Sequence, residues 1–345
     1  MNRLTLLVLL ATLAPGCHNA RDTDPDGGGP TETGTNDPAP APRIALDYDY
    51  RGLRLGQALE LRGEASCAGS WAPCSYEWAL GNGQTATGLT PGKVSFTKVG
   101  FYLPTLTAVS ARGTRHSAQA HLAAWDGTFR DDFNRPALDL DQRGWRKPDE
   151  ETKWTLEQDR LTCETALHRP GSSSLTAWPE ARDVRVEVTV RRNPDPTFDR
   201  WTDVILRLHP TKRSRSFYRV RLWEETAPNN GIELAVFKIE ETSETQHGVL
   251  ISDPTQAWST KAERCKSCAY REGYPRGEDI RVVVSLVGSE FELSASSPTQ
   301  PSTPGLTQKF KDPSPAPHLY AGHVGLALFE GKAQFDDFSY RSLDP

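Results

Sequence analysis

Two pairs of carboxylates stand near the ends of the long C-terminal region of this chain. Asp131 and Asp132 lie within Phe129–Phe133, and Asp336 and Asp337 lie between Phe335 and Phe338. Carboxylate oxygens are hard donors. If the strands carrying the two motifs lie side by side, the four aspartates meet in a loop-rich site that suits a structural calcium ion. A second set mixes guanidinium groups with aromatic rings. Phe217, Arg219, Arg221 and Trp223 alternate with Tyr218, Val220 and Leu222, while Ile205 and Arg207 alternate with Val204, Leu206 and Leu208. Alternate residues of a strand share a face. With the aliphatic set inward, Arg207, Arg219, Arg221 and Trp223 point outward, and Trp201 sits nearby. Aromatic rings stack on sugar faces, and arginine forks onto carboxylates or sulfates. This face therefore suits an acidic polysaccharide or another glycan.

The six cysteines point to structure more than to chemistry. Cys67 and Cys74 enclose Gly69, Trp71 and Pro73, a spacing suited to a small disulfide-closed loop. Cys265 and Cys268 form Cys-Lys-Ser-Cys. In an oxidising compartment such a pair staples a loop. A redox motif or half a zinc site is the alternative, although no βαβ pattern, second CxxC or paired histidine accompanies it. Cys163 is left over, and its pairing with one of the CxxC cysteines stays open.

The elements that must position these residues are strands. Val, Thr, Trp, Tyr and Phe recur in short alternating runs, separated by many of the 26 Pro and 27 Gly. Long helical periodicity is absent, so the chain reads as all-β. A net charge of −5 leaves no basic field for nucleic acid. Arg3 and the apolar run Leu4–Ala14 read as a signal peptide over residues 1–16. Leu13-Ala14-Pro15-Gly16-Cys17 resembles a bacterial lipobox, which implies lipidation at Cys17, membrane contact through that anchor alone, and export to the outer membrane. Residues 17–42 continue as a tether rich in Asp, Gly, Pro and Thr.

Residues 43–125 carry Trp78-Ala79-Leu80-Gly81-Asn82-Gly83 and, later, Val99-Gly100-Phe101-Tyr102-Leu103-Pro104. Trp78 is expected to fill a core, and the Gly-Asn-Gly turn requires positive φ. This stretch resembles the PKD domain, an immunoglobulin-like sandwich that serves as a spacer or interaction module. Residues 126–345 hold nine or more expected strands, including Trp154–Glu164, Asp183–Val190, Asp279–Val287 and Glu290–Ser296. A two-residue hairpin is expected at Gly288-Ser289 and another at 228–231. Gly322–Tyr340 is expected to be an antiparallel pair around Glu330-Gly331-Lys332. Its second strand should close beside Phe129–Arg135 as the last and first strands of one sandwich.

The order Asp131-Asp132-Phe133-Asn134-Arg135, Gly144-Trp145, Val204–Arg207, Tyr218-Arg219-Val220 and Phe335-Asp336-Asp337-Phe338 resembles the concanavalin A-like lectin/glucanase superfamily of laminin-G-like jelly rolls. That resemblance implies a two-sheet jelly roll, a structural calcium, and lectin, glycosidase or adhesive function. Laminarinase-like members carry Glu-x-Asp-x-(x)-Glu on one strand. The nearest stretch here, Glu180–Glu187, has the wrong spacing, and no nucleophile triad or phosphate loop is present. The sequence thus reads as a non-catalytic envelope lipoprotein whose jelly roll binds carbohydrate or a cell-surface protein. A glycoside hydrolase and a purely structural envelope protein are the alternatives.

Overall fold

In the computed structural model the described residues are 39, 41–46, 50–146, 153–165, 174–192, 201–208, 215–224, 231–241, 246–252, 268–272, 274, 277–328 and 331–344. The expected signal peptide, Cys17 and Cys265 lie outside them. Every long element is a strand, and two eight-stranded antiparallel sheets form the larger sandwich. Sheet I runs Lys153–Glu157, Arg160–Thr165, Gly331–Ser342, Val184–Arg192, Asp279–Val287, Glu290–Ser296, Leu306–Lys311, with Thr128–Asp131 also paired to Gly331–Ser342. Sheet II runs Trp145–Arg146, Ser174–Ala181, Gly322–Leu328, Trp201–Leu208, Arg215–Glu224, Ile232–Glu241, Gln246–Leu250, with Ala269–Arg271 paired to Ile232–Glu241. Val184, Val186, Val188 and Val190 of sheet I pack with Val204, Leu206, Tyr218 and Val220 of sheet II in one core. Their alternation drives this, since each buried aliphatic side chain contributes about 1.5–3 kcal/mol.

The first and last strands of the sandwich do pair. Phe129 stands opposite Tyr340, and Asp131 opposite Phe338. The Gly288-Ser289 hairpin also forms, with Val287 opposite Glu290. The stretch around 330 differs from expectation. Gly322–Leu328 and Gly331–Ser342 are not an antiparallel pair, for they lie in opposite sheets. All seven residues of Gly322–Leu328 are buried, and a strand covered on both faces belongs in the middle of a sheet rather than in a half-exposed hairpin. The expected strand Trp154–Glu164 is a hairpin, turning at Gln158 and Asp159, both with positive φ.

Residues 43–125 form three small sheets around Trp78, Leu61, Leu106 and Leu122. Trp78 is buried there and donates from Nε1 to Gly88 O at 2.9 Å. Gly81 and Gly83 take φ of 80° and 86°, and Cys67 and Cys74 are disulfide-bonded. Only Asp126-Gly127 separate His121–Trp125 from Thr128–Asp131, and Pro38–Pro345 form one compact unit. Phe101 of the small module meets Trp178 edge-on at 5.4 Å. A Cβ at Gly144 would stand 1.9 Å from the Phe101 ring, and one at Gly52 would stand 2.7 Å from Pro179 Cα. Glycine is the residue that lets the backbones approach so closely.

Candidate functional site

The two Asp-Asp-Phe motifs frame a cleft on the outer face of sheet I. The closing strand Gly331–Ser342 is flanked on one edge by Arg160–Thr165, ending at the Leu161–Phe335 pair, and then by Thr128–Asp131, starting at the Asp131–Phe338 pair. Asp336 and Asp337 fall in the gap between these neighbours. On the other edge Thr189 faces Asp336 and Glu187 faces Ser339, so Val188 stands against two residues. This is a β-bulge, with Asp337 at φ 49°. Phe335 and Phe338 are three residues apart and would point to opposite faces of a regular strand. The extra residue turns both into the core and leaves Asp336 and Asp337 at the rim.

The resulting cavity is about 930 Å³, at the upper end of the usual range for ligand sites. All four expected aspartates line it, with Glu187, Asp279 and four arginines, Arg130, Arg143, Arg160 and Arg281. Phe101 of the small module also lines it. Asp279 is held from both sides. Arg160 donates to it from Nη1 and Nη2 at 3.0 Å each, and Arg191 from Nε at 2.8 Å and Nη2 at 3.0 Å. Glu187 accepts from Arg281 Nη2 and, at 3.1 Å, from Arg185 Nε. The Arg281 hydrogen bond, with that from Arg185, holds the Glu187 carboxyl below its ordinary range. Burial pushes the Asp336 carboxyl up, against a hydrogen bond from the Asp337 N–H.

The four expected aspartates meet at this cleft, and arginines lie beside two of them, Asp131 and Asp336. Asp131 is buried and its oxygens are engaged: Oδ2 accepts from Trp145 Nε1 at 2.7 Å, and Oδ1 accepts from Phe133 N at 2.9 Å and from Arg135 Nη1. Asp132 caps the Asn134 N–H at 3.1 Å, and Asp336 lies 3.6 Å from Arg160 Nη2. Among the described residues no group of three or more His, Cys, Asp or Glu side chains could hold a metal ion.

The expected glycan platform on sheet II is also revised. Val204, Leu206, Tyr218, Val220 and Leu222 do face the core, but the opposite face is closed. Ile205, Leu208, Phe217, Phe237 and Leu250 form a second apolar cluster there. Arg219 and Arg221 are 3% and 6% exposed. Both guanidinium Nε atoms lie 3.1 Å from Asp203. The Arg221 guanidinium stacks 4.0 Å from the Trp201 ring centre and 4.9 Å from Phe237, and that of Arg219 lies 5.6 Å from Phe217. The expected stacking of arginine on aromatics is present, but it is internal. The deciding residue is Asp203, which the outward set brings directly opposite Arg221. The Trp223 side chain lies outside the described residues.

Arg207 departs further. Two residues, Leu206 and Arg207, fit against Val324 alone, a second bulge, with Arg207 at φ 54°. Leu208 thereby joins Ile205 on the outer face. Arg207, fully buried, donates to Arg182 O at 2.6 Å, Gly288 O at 2.7 Å, His318 O, and Asp183 Oδ1 at 3.1 Å. It ties the loops at one end of the sandwich. Cys163 is a core residue, and Cys268 is disulfide-bonded.

Sequence reasoning missed Arg130, Arg160, Arg281 and Phe101 as parts of one site. The outward set of each strand was legible, as with Arg185, Glu187 and Thr189 between the valines. Which strands lie side by side was not.

No family model matches the chain, and no curated protein matches it. Among solved structures, the chain is similar to a xylan β-1,4-xylosidase from Bacillus halodurans C-125 (11% identity, TM-score 0.39, 87% of this chain and 64% of that one). It is also similar to the VIP36 exoplasmic/lumenal domain in a Ca2+/Man2-bound form (10%, 0.38, 64% and 88%) and to SCLam, a non-specific endo-β-1,3(4)-glucanase of family GH16 (11%, 0.34, 63% and 92%). The chain spans less than two thirds of the xylosidase's length. At such identities and TM-scores the cleft is read from its own residues alone.

Proposed function

We propose that this protein binds carbohydrate in the cleft on sheet I. The observation that carries the reading is the composition of that cavity: carboxylates, guanidinium groups and the Ser339 and Thr189 hydroxyls around about 930 Å³, with the Phe101 ring in its wall. Vicinal sugar hydroxyls both donate and accept, so carboxylate acceptors and guanidinium donors alternating along a cleft match them. An aromatic ring covers an apolar sugar face. The basic start, apolar run and Cys17 of the N-terminus support export and anchoring by lipid at the cell envelope, with the PKD-like module as spacer. The test is a glycan-array screen of the purified protein, followed by titration of its hits. Saturable binding that Asp337→Ala weakens about tenfold, the worth of one charge-assisted hydrogen bond, supports the reading. Absence of binding to any glycan, with capture of a surface protein instead, overturns it.

A second reading, glycoside processing, is favoured by one pair. Asp336 stands opposite Thr189, two residues along the neighbouring strand from Glu187. Their surroundings push the first carboxyl up and the second down, the pattern of a general acid beside an ionised carboxylate. Release of reducing ends from a bound oligosaccharide, abolished in Glu187→Gln and Asp336→Asn while binding persists, would support it. Binding without any turnover removes it.

A further inference from the structure

We infer that one end of this cleft is a subsite for an acidic substituent on the glycan, a carboxylate or a sulfate ester. The inference rests on the carbohydrate reading above. A second cavity of about 400 Å³ opens on the same face of sheet I, and it shares Arg130, Glu187 and Ser339 with the larger cleft. Three arginines line it. Arg130 stands opposite Ser339, which stands opposite Glu187, and in the next row Thr128 faces Arg341, which faces Arg185. Phe129, Tyr340, Val184 and Val186 flank them and point into the core. The strand alternation therefore turns all three guanidinium groups outward.

Their charge is not balanced locally. Glu187 is the one carboxylate among the residues lining this second cavity, and it is divided between Arg185 and Arg281. Among the described residues Arg130 and Arg341 have no ion pair. Arg185 and Arg341 are direct cross-strand partners, and like charges so placed repel. An anion between them relieves that repulsion. A planar guanidinium offers paired N–H donors to a carboxylate or sulfate, and the Thr128 and Ser339 hydroxyls on the same rows add donors that can turn toward it. Because the two cavities share a wall, the anion is a substituent of the same chain that lies in the larger cleft. The ligand class is an acidic polysaccharide.

The test titrates the purified protein with oligosaccharides of one length in three forms: neutral, uronate-containing and sulfated. A non-sugar polyanion, poly-glutamate, serves as control. Each is measured at low and at raised salt, with wild type and with Arg130→Ala/Arg341→Ala. Both arginines are exposed, so the variant is expected to keep the wild-type melting temperature. The expected result is tenfold or greater preference for one acidic form over the neutral one. That preference should fall with salt and vanish in the double variant, whereas Arg341→Ala alone, at a residue that lines the second cavity and not the larger cleft, should leave neutral binding unchanged. Whichever acidic form wins distinguishes uronate from sulfate. Neutral and acidic probes binding equally overturns the subsite alone. No sugar binding overturns the carbohydrate reading with it. Poly-glutamate binding as tightly as the acidic sugars also overturns the subsite, in favour of a general acidic-polymer surface.

Discussion

The ring of Phe101 lies edge-on to that of Trp178 at 5.4 Å, and also meets Phe129 edge-on at 6.2 Å. It fills the space that a side chain at Gly144 would need. A residue of the small module is thus part of the larger sandwich and of its cleft. Arg54 adds a polar tie by donating from Nη2 to Ser342 Oγ at 2.6 Å.

This seam makes the two modules melt together. Calorimetry of the wild type is expected to show one transition. Phe101→Ala should cost about 2 kcal/mol, less than the 3–5 typical of a fully buried phenylalanine, because the ring is half-buried. Two resolved transitions in the wild type would refute the rigid seam.

Asp131 holds Trp145 and Arg135 below the cleft floor. Asp131→Ala leaves the buried indole N–H without its acceptor and a largely buried guanidinium with Asp139 alone, 2.7 Å from its Nε, at a cost of about 2 kcal/mol. A urea melt followed by tryptophan fluorescence measures this. A change under 1 kcal/mol would mean the arrangement is not the one described.

Arg207→Ala is expected to destabilise by about 3–5 kcal/mol, since it removes the buried guanidinium that Asp183 and three carbonyls accept from at the sandwich end. Glycan affinity of the folded fraction should not change, because Arg207 is not in the cleft. A loss of affinity with unchanged stability would restore the outward reading of this residue.

Asp336 and Glu187 give opposite pH signatures. The folded-state value of Asp336 is raised above 3.8, so the folded protein holds its proton more tightly, and stability falls as pH rises from 3.8 through that value. Asp336→Asn should therefore raise the melting temperature at pH 7 relative to wild type, with little difference at pH 3. Glu187 is lowered from 4.5, so its contribution is complete above 4.5 and is lost as pH falls through its folded value. Glu187→Gln should lower the melting temperature at pH 7 and converge with wild type in acid. Paired thermal melts across pH 3–7 check both signs, and the same sign for the two variants would contradict the described surroundings.

The sequence by itself determined the all-β class, the buried valine faces, the Gly81–Gly83 turn around Trp78, the Cys67–Cys74 loop, and the meeting of the two Asp-Asp-Phe motifs. These rest on local signals: period-two alternation, turn chemistry, and the echo of one motif in another. Tertiary structure decided which faces are open. One extra residue in a strand reverses every later side chain, and bulges at Asp337 and Arg207 did so at two expected site residues. Alternation also does not say what lies opposite. Asp203 neutralises Arg219 and Arg221 inside sheet II. On sheet I, Arg130, Arg341 and Arg185 come from strands far apart in the chain and meet only through pairing. The alternation of Arg185 and Glu187 between valines was visible in the sequence. That this row forms the wall of a cleft depends on strand neighbours that a period-two pattern does not encode.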